Sequence, residues 1–152
     1  MRIREMGPSD LDGVMAIEEV SFPTPWSREM FREDFTRGFS DTLVAAGEED
    51  EVIGYAVCWT IAGESHLLNI AVLPSRRGEG IGRALLSECI RRAARAGASL
   101  IFLEVRAGNE AAQRLYRSMG FAFRGIRKGY YTDTGEDAVI LDREVRKSDA
   151  AR

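Results

Sequence analysis

The stretch that most restricts this chain is "IAVLPSRRGEGIGRALL", residues 70–86, where an apolar run gives way to a glycine-rich turn and then to helical periodicity. Glycine at an element boundary costs roughly 0.5–1 kcal/mol against alanine, so Gly78, Gly80 and Gly82 together require a reason. A strand, a tight turn and a helix start bring several backbone N–H groups to one point, and the helix dipole adds about half a positive charge there. Such a point attracts an anion. Arg76, Arg77 and Arg83 stand beside it, where the dipole repels cations unless an anion lies between them. Arginines in that number suit more than one phosphate, while a plain surface turn with solvated arginines is the alternative.

The remainder of the chain sets bounds. Its 152 residues suit one compact domain, read as residues 1–145 with a polar, frayed tail at 146–152. With 21 basic and 24 acidic residues the formal net charge is −3, which offers no whole-chain attraction to nucleic acid or to an anionic membrane. The N-terminus "MRIREMGPSD" is charged and has no apolar signal-like run, and no stretch approaches the ~20 apolar residues of a membrane span. The expected location is the cytoplasm, and the expected state a monomer or weak homodimer. Cys58 and Cys89 lie in apolar, element-like surroundings without CxxC spacing, and the single His66 makes no metal site, so no metal is expected and His66 reads as an ordinary hydrogen-bonded histidine.

Periodicity gives the element order. "RIREM" alternates as a short strand, and Pro8 and Ser9 open a helix with Asp12 completing a capping box and Leu11, Val14, Met15 and Ile17 as its buried stripe. Ser27 caps a second helix carrying Met30, Phe31 and Phe35 after the prolines of "SFPTPW". "DTLVAAG" and "EVIGYAVCWTIAG" form a hairpin, "SHLLNIAVLP" another strand, and Gly82 to Ala96 a helix stopped by Gly97. "SLIFLEV" is a strand, Asn109 caps a helix ended by Gly120, and two strands follow around a turn near Thr134 and Gly135. The fold class is α+β: a mixed, mostly antiparallel twisted sheet of about seven strands flanked by four helices.

Spacing narrows the anion. A dinucleotide fingerprint needs G-x-G-x-x-G, but Arg83 and Leu85 occupy the last position in the two available registers, and no Gly-Lys-Ser/Thr of a Walker loop is present. What remains is R-x-x-G-x-G at Arg77, Gly80 and Gly82. With this loop between strand and helix, the chain resembles the GNAT superfamily of acetyltransferases over nearly its whole length. "LEVRAGNEAAQRLYRSMGF", the "FPTPW" after the first helix, "NIAV", and Tyr130, Tyr131, Glu136 and Asp137 near the C-terminus are similar to the ribosomal-protein alanine N-acetyltransferases. The resemblance implies acetyl-CoA as cosubstrate. Ile70, Ala71 and Val72 would hold its pantetheine in strand fashion, Arg77, Gly78, Glu79, Gly80, Ile81, Gly82 and Arg83 its pyrophosphate, and Asn109 and Tyr116 the arm and thioester end.

Acetyl transfer to an amine requires the ammonium to lose a proton and the departing thiolate to gain one. In "SLIFLEVRA", Ile101, Leu103 and Val105 form one apolar face, while Glu104 shares the other with Phe102 and Arg106. A carboxylate partly desolvated on such a strand is expected to have a raised pKa suited to a base, whereas a solvent-facing Glu104 paired with Arg106 is the alternative. The family match assigns Glu104 as general base and Tyr116 as general acid. Tyr116 as a core aromatic beside Leu115 and Met119 remains the other possibility.

A free α-amine has a pKa near 7.7–8.0 against about 10.4 for lysine, so deprotonating lysine costs roughly 3 kcal/mol more and an N-terminus is the favoured acceptor. Phe22, Pro23, Trp26 and Tyr131 match the family's peptide slot, though each equally suits packing. The resemblance points to the N-terminal alanine of a small-subunit ribosomal protein, with no direct contact to nucleic acid or membrane. The alternatives are acetylation of a small amine or lysine, or a non-catalytic acyl-CoA-binding module.

Overall fold

The chain, described over residues 1–151 by a computed structural model, builds a central sheet from strands β1 (Arg2–Glu5), β2 (Ser40–Ala46), β3 (Val52–Ile61), β4 (Glu64–Val72), β5 (Leu100–Arg106), β6 (Ala122–Tyr131) and β7 (Glu136–Glu144). Helices α1 (Leu11–Ser21) and α2 (Arg28–Phe35) fall between β1 and β2, α3 (Ile81–Arg95) between β4 and β5, and α4 (Glu110–Ser118) between β5 and β6. The sheet order is β1-β2-β3-β4-β5-β7-β6. Every neighbouring pair is antiparallel except β4 with β5, the pair joined by the α3 crossover. The α+β class and the element order follow the sequence.

Alternation along the strands divides the core into two layers. On one face Leu43, Ala45, Ala56, Cys58, Leu103 and Leu141 pack against Leu85, Leu86, Cys89 and Ile90 of α3 and against Tyr116 of α4. On the other face Val44, Tyr55, Val57 and Ala71 meet Leu11, Val14 and Ile17 of α1 and Phe31 of α2. Cys58 and Cys89 are buried and free, as core residues. The α3 helix sits close to the sheet because β3 offers it Gly54, where a Cβ would stand 3.0 Å from Ile81 Cγ2 and 3.1 Å from both Ala71 O and Leu85 Cδ1.

Two local expectations are corrected. Pro8–Asp10 form a 3-10 turn that delays α1, so the entrance is held by Asp10 rather than by Ser9 with Asp12. Asp10 accepts from Gly7 N–H and from both terminal nitrogens of Arg4 at 2.8 Å, while Asp12 turns outward to Arg28. Residues Lys147–Ala151 close as a 3-10 turn instead of fraying, since Asp149 is buried and accepts from Arg143 and from Arg146 N–H. Ser27 caps α2 and Asn109 caps α4 as expected, accepting from Met30 N–H and Ala112 N–H.

Gly54→Ala is expected to destabilise the fold by about 1–3 kcal/mol through overpacking against Ile81 and Leu85. In a chain of this length that is a fall in Tm of roughly 3–10 °C, measured by thermal unfolding.

Candidate active site

The parallel ladder between β4 and β5 lasts for three residue pairs, Glu64↔Leu100, Ser65↔Ile101 and His66↔Phe102. Beyond them β4 continues along β3 as far as Val72 and β5 along β7 as far as Arg106, so the two strands part. At the same level the β3–β4 register skips Leu68, pairing Leu67 with Cys58 and Asn69 with Val57. A bulge of this kind twists the strand and leaves one residue outside the ladder. The opening lies beside the start of α3, where a Cβ on Gly82 would stand 3.7 Å from Cγ2 of Val72 at the end of β4.

The glycine loop has the backbone that its sequence requires. Gly78 and Gly80 both adopt φ 83°, a left-handed conformation that glycine enters without penalty, and at both positions a Cβ would meet no atom within 4 Å. Gly80 is the N-cap of α3, with no side chain to occupy the first N–H groups. Ile81 turns its side chain into the core, so its main chain alone is available to a ligand. Of the three arginines, Arg76 is bonded to Glu79 at 3.0 Å and Arg83 to Ser118 Oγ at 2.7 Å, whereas the guanidinium of the exposed Arg77 has no protein partner among the described residues. Glu79 therefore neutralises one of the charges that the sequence counts toward an anion. Gly82 sits where a Cβ would come 3.4 Å from Leu115, which lets α3 and α4 approach at the loop.

Glu104 lies where the strands part. Ile101, Leu103 and Val105 are buried, and Glu104 shares the opposite face with Phe102 and Arg106, as the alternation predicts. Its partner is not Arg106 but His66, whose Nε2 stands 2.6 Å from Glu104 Oε2 and whose ring stacks on Phe102 at 4.3 Å between centroids. Arg106 is committed to Asp133 and Glu136. The expected raised pKa of Glu104 is corrected by this arrangement. Burial alone pushes the carboxyl up, but the His66 hydrogen bond and the positive charges of His66 and Arg127 outweigh it and hold the group below the usual carboxylate range.

Tyr116 is 6% exposed, packed against Phe121 at 5.8 Å, and its phenol is pushed well above the ordinary value by burial and by the proximity of Tyr131. It remains protonated at any physiological pH. The Tyr131 ring lies 4.1 Å beneath the Arg106 guanidinium and at 5.1 Å from Tyr130, and burial pushes its phenol up to about 12. Asn109 spends its Oδ1 on the α4 cap and keeps its amide nitrogen for other contacts. Ile70 and Val72 lie on the part of β4 beyond its pairing with β5, and Ala71 between them is buried toward α1.

On the other side of the opening, Phe22 and Trp26 pack against the α1–α2 core layer, Trp26 at 5.0 Å from Phe31, while Pro23 is exposed between them. The loop that holds them reaches the β6–β7 turn through Thr24 Oγ1 and Asp133 Oδ2 at 3.3 Å. Its anchor is a residue that sequence reasoning missed. Glu18, 1% exposed, accepts hydrogen bonds from Tyr55 Oη, from Asn69 Nδ2 at 2.8 Å and from Trp26 N–H at 2.8 Å. It joins α1, β3, β4 and the loop. The signal was present: Glu18 falls four residues after Val14 and seven after Leu11, on the buried stripe. Among the described residues no group of three or more His, Cys, Asp or Glu is placed to hold a metal ion, and no helix is long and apolar enough to cross a membrane.

The Acetyltransferase (GNAT) family model matches residues 11–121. A putative [ribosomal protein bS18]-alanine N-acetyltransferase of Bacillus subtilis is 34% identical over 139 residues, covering 91% of this chain and 92% of that one. The [ribosomal protein bS18]-alanine N-acetyltransferase of Escherichia coli is likewise 34% identical, over 91% of this chain and 94% of its own. The crystal structure of the E. coli ribosomal-protein-S18-alanine N-acetyltransferase superposes with a TM-score of 0.85, covering 95% of this chain and 93% of that one at 33% identity. The structure of Ard1 from Thermoplasma volcanium gives a TM-score of 0.86 at 25% identity, covering 95% and 97%.

Replacing Glu18 by alanine strands three donors, each worth about 1–3 kcal/mol when buried without a partner. Glu18→Ala is expected to lower Tm by roughly 5 °C or more in a thermal melt. The same variant frees Trp26 N–H from its anchor and loosens the α1–α2 loop, which faster amide hydrogen exchange at residues 22–26 will register.

Proposed function

The chain belongs to the acetyltransferase (GNAT) family, and from that premise we propose that it transfers the acetyl group of acetyl-CoA to the α-amine of a protein N-terminus, the N-terminal alanine of a small-subunit ribosomal protein. The observation that carries this reading is the parting of β4 from β5, with an ionised Glu104 at its apex and a glycine-lined helix start at its mouth. Support for the acceptor comes from relatives at 34% identity over most of the chain.

Each part has a task. The main-chain N–H groups from Gly78 to Gly82, with Arg77, bind the pyrophosphate, because left-handed glycines and the α3 dipole favour negative charge there. The free edge of β4 at Ile70 and Val72 pairs with the pantetheine amides as a further strand would, and acetyl-CoA supplies the activated acyl group. Phe22, Pro23, Trp26 and Tyr131 wall the approach of the peptide, with the bond from Thr24 to Asp133 holding the two sides together.

Glu104 accepts the proton of the attacking amine. Its lowered pKa makes it a weaker base than the strand pattern suggested and widens the gap between carboxylate and α-ammonium. That gap shrinks as the nitrogen bonds to carbon and its remaining protons become acidic, so the carboxylate serves best while attack is under way. Tyr116 donates to the departing sulfur. With its phenol pushed up by burial, full proton transfer to a thiolate of pKa about 8.5 is costlier than for a solvated tyrosine, so its contribution is mainly a hydrogen bond that strengthens as charge builds on sulfur.

Glu104→Gln is expected to lower kcat by about 10²–10⁴-fold while calorimetry finds an unchanged Kd for acetyl-CoA. Gly80→Glu does the reverse: a carboxylate at the anion site, on a backbone at φ 83°, should abolish cofactor binding. A peptide with a free N-terminal alanine should be acetylated orders of magnitude faster than its α-blocked counterpart bearing a lysine. Equal rates would assign the enzyme to lysine chemistry.

A further inference from the structure

His66 is the one histidine of the chain, and its position is unusual for a spectator. It occupies the last pair of the β4–β5 ladder, so its ring borders the opening where the strands part. Phe102 fixes the plane of the ring by stacking at 4.3 Å and 14°, and Glu104 fixes its rotation through a 2.6 Å bond to Nε2. The side chain keeps 27% of its surface exposed, whereas that of Glu104 keeps 9%. The more accessible member of the couple is therefore the imidazole.

We propose that His66 and Glu104 act as one proton-accepting pair, in which the imidazole takes the proton of the acceptor amine and the carboxylate orients and stabilises the imidazolium. This deepens the N-terminal acetyltransferase reading and rests on it. The bond to Glu104 keeps the ring proton on Nε2 and leaves the Nδ1 lone pair free. In the step, an N–H bond of the substrate ammonium breaks, its electron pair becomes the lone pair that attacks the thioester carbon, and an N–H bond forms at Nδ1. The imidazolium is then held by the anionic Glu104 until it releases the proton to solvent. An imidazole ordinarily titrates near 6.5, within about 1.5 units of an α-amine, a far closer match than a carboxylate offers.

The charged and titratable groups around the pair are Glu104 itself, Arg127 and Tyr131 from β6, and Glu64 on β4. Behind Trp59, which pairs with His66 across β3 and β4, stand Asp34 of α2, bonded to the Trp59 indole, and Arg37, 5.5 Å from its ring. Glu104 is the one of these bonded to the ring. Activity must rise with pH as the ring loses its proton, because the neutral ring is the base.

A single histidine makes the test clean. The ring resonances of the wild-type protein are followed by NMR from pH 5 to 9, beside kcat/KM for acetyl-CoA and a lysine-free peptide with an N-terminal alanine. The proposal predicts that the ring midpoint coincides with the acidic limb of the rate profile, and that the two move together in Glu104→Gln. His66→Gln, which keeps a donor for Glu104, should lose that limb and roughly 100-fold in kcat with the KM values of both substrates unchanged. His66→Asn serves if that variant does not fold, and the wild-type titration needs no variant. A His66→Gln enzyme with wild-type rate and limb, or a ring midpoint apart from the limb, overturns the pair and leaves Glu104 as sole base with the acetyltransferase reading intact. A wild-type protein inactive on every α-amine peptide overturns both.

Discussion

A sheet whose strands separate in its middle exposes main-chain donors and acceptors that the rest of the sheet pairs internally, and this chain is organised around one such separation. β4 and β5 are joined by three residue pairs and then diverge, each held on its far side by an antiparallel neighbour along its length. Buried backbone groups without partners are costly, so the free edges require water or a ligand with an amide pattern of its own. The crossover helix α3 starts beside the opening and presents its positive end there. Strand edge and helix end together suit a long molecule with amides in the middle and phosphates at one end.

Two carboxylates illustrate how environment divides labour. Glu18 is 1% exposed and accepts three hydrogen bonds from fixed donors, an arrangement that ties the loop carrying Phe22, Pro23 and Trp26 to the sheet. Glu104 bonds to a single titratable partner and faces the opening. The first is a structural node, since both of its oxygens are held by donors fixed on separate elements. The second keeps capacity for a substrate proton. Arg106, between Asp133 and Glu136 and stacked on Tyr131, stiffens the far wall in the same way as Glu18 stiffens the near one.

Much of this was legible in the sequence because period and punctuation are local properties. The alternation in "SLIFLEVR" and the caps Ser27 and Asn109 each fix a side chain's face or a helix end without reference to the rest of the chain, and each appears as read. Glycines at Gly78 and Gly80 likewise adopt the conformation that makes glycine necessary. What failed depended on partners distant along the chain. Glu104 was given a raised pKa from its apolar strand, but His66, 38 positions earlier, reverses the shift. Asp149 was read as part of a solvated tail until Arg143 is seen to draw it inward. Three arginines near the glycine loop look alike in sequence, yet Glu79 and Ser118 occupy two of them.

The central claim is that the parted strands and the α3 start form one slot for acetyl-CoA. Amide hydrogen exchange, compared with and without acetyl-CoA, tests it most directly. Slowed exchange confined to the Ile70–Val72 edge, the Gly78–Gly82 loop and the first turn of α3 is the predicted result. Binding that leaves those amides unchanged and protects another surface would contradict the account.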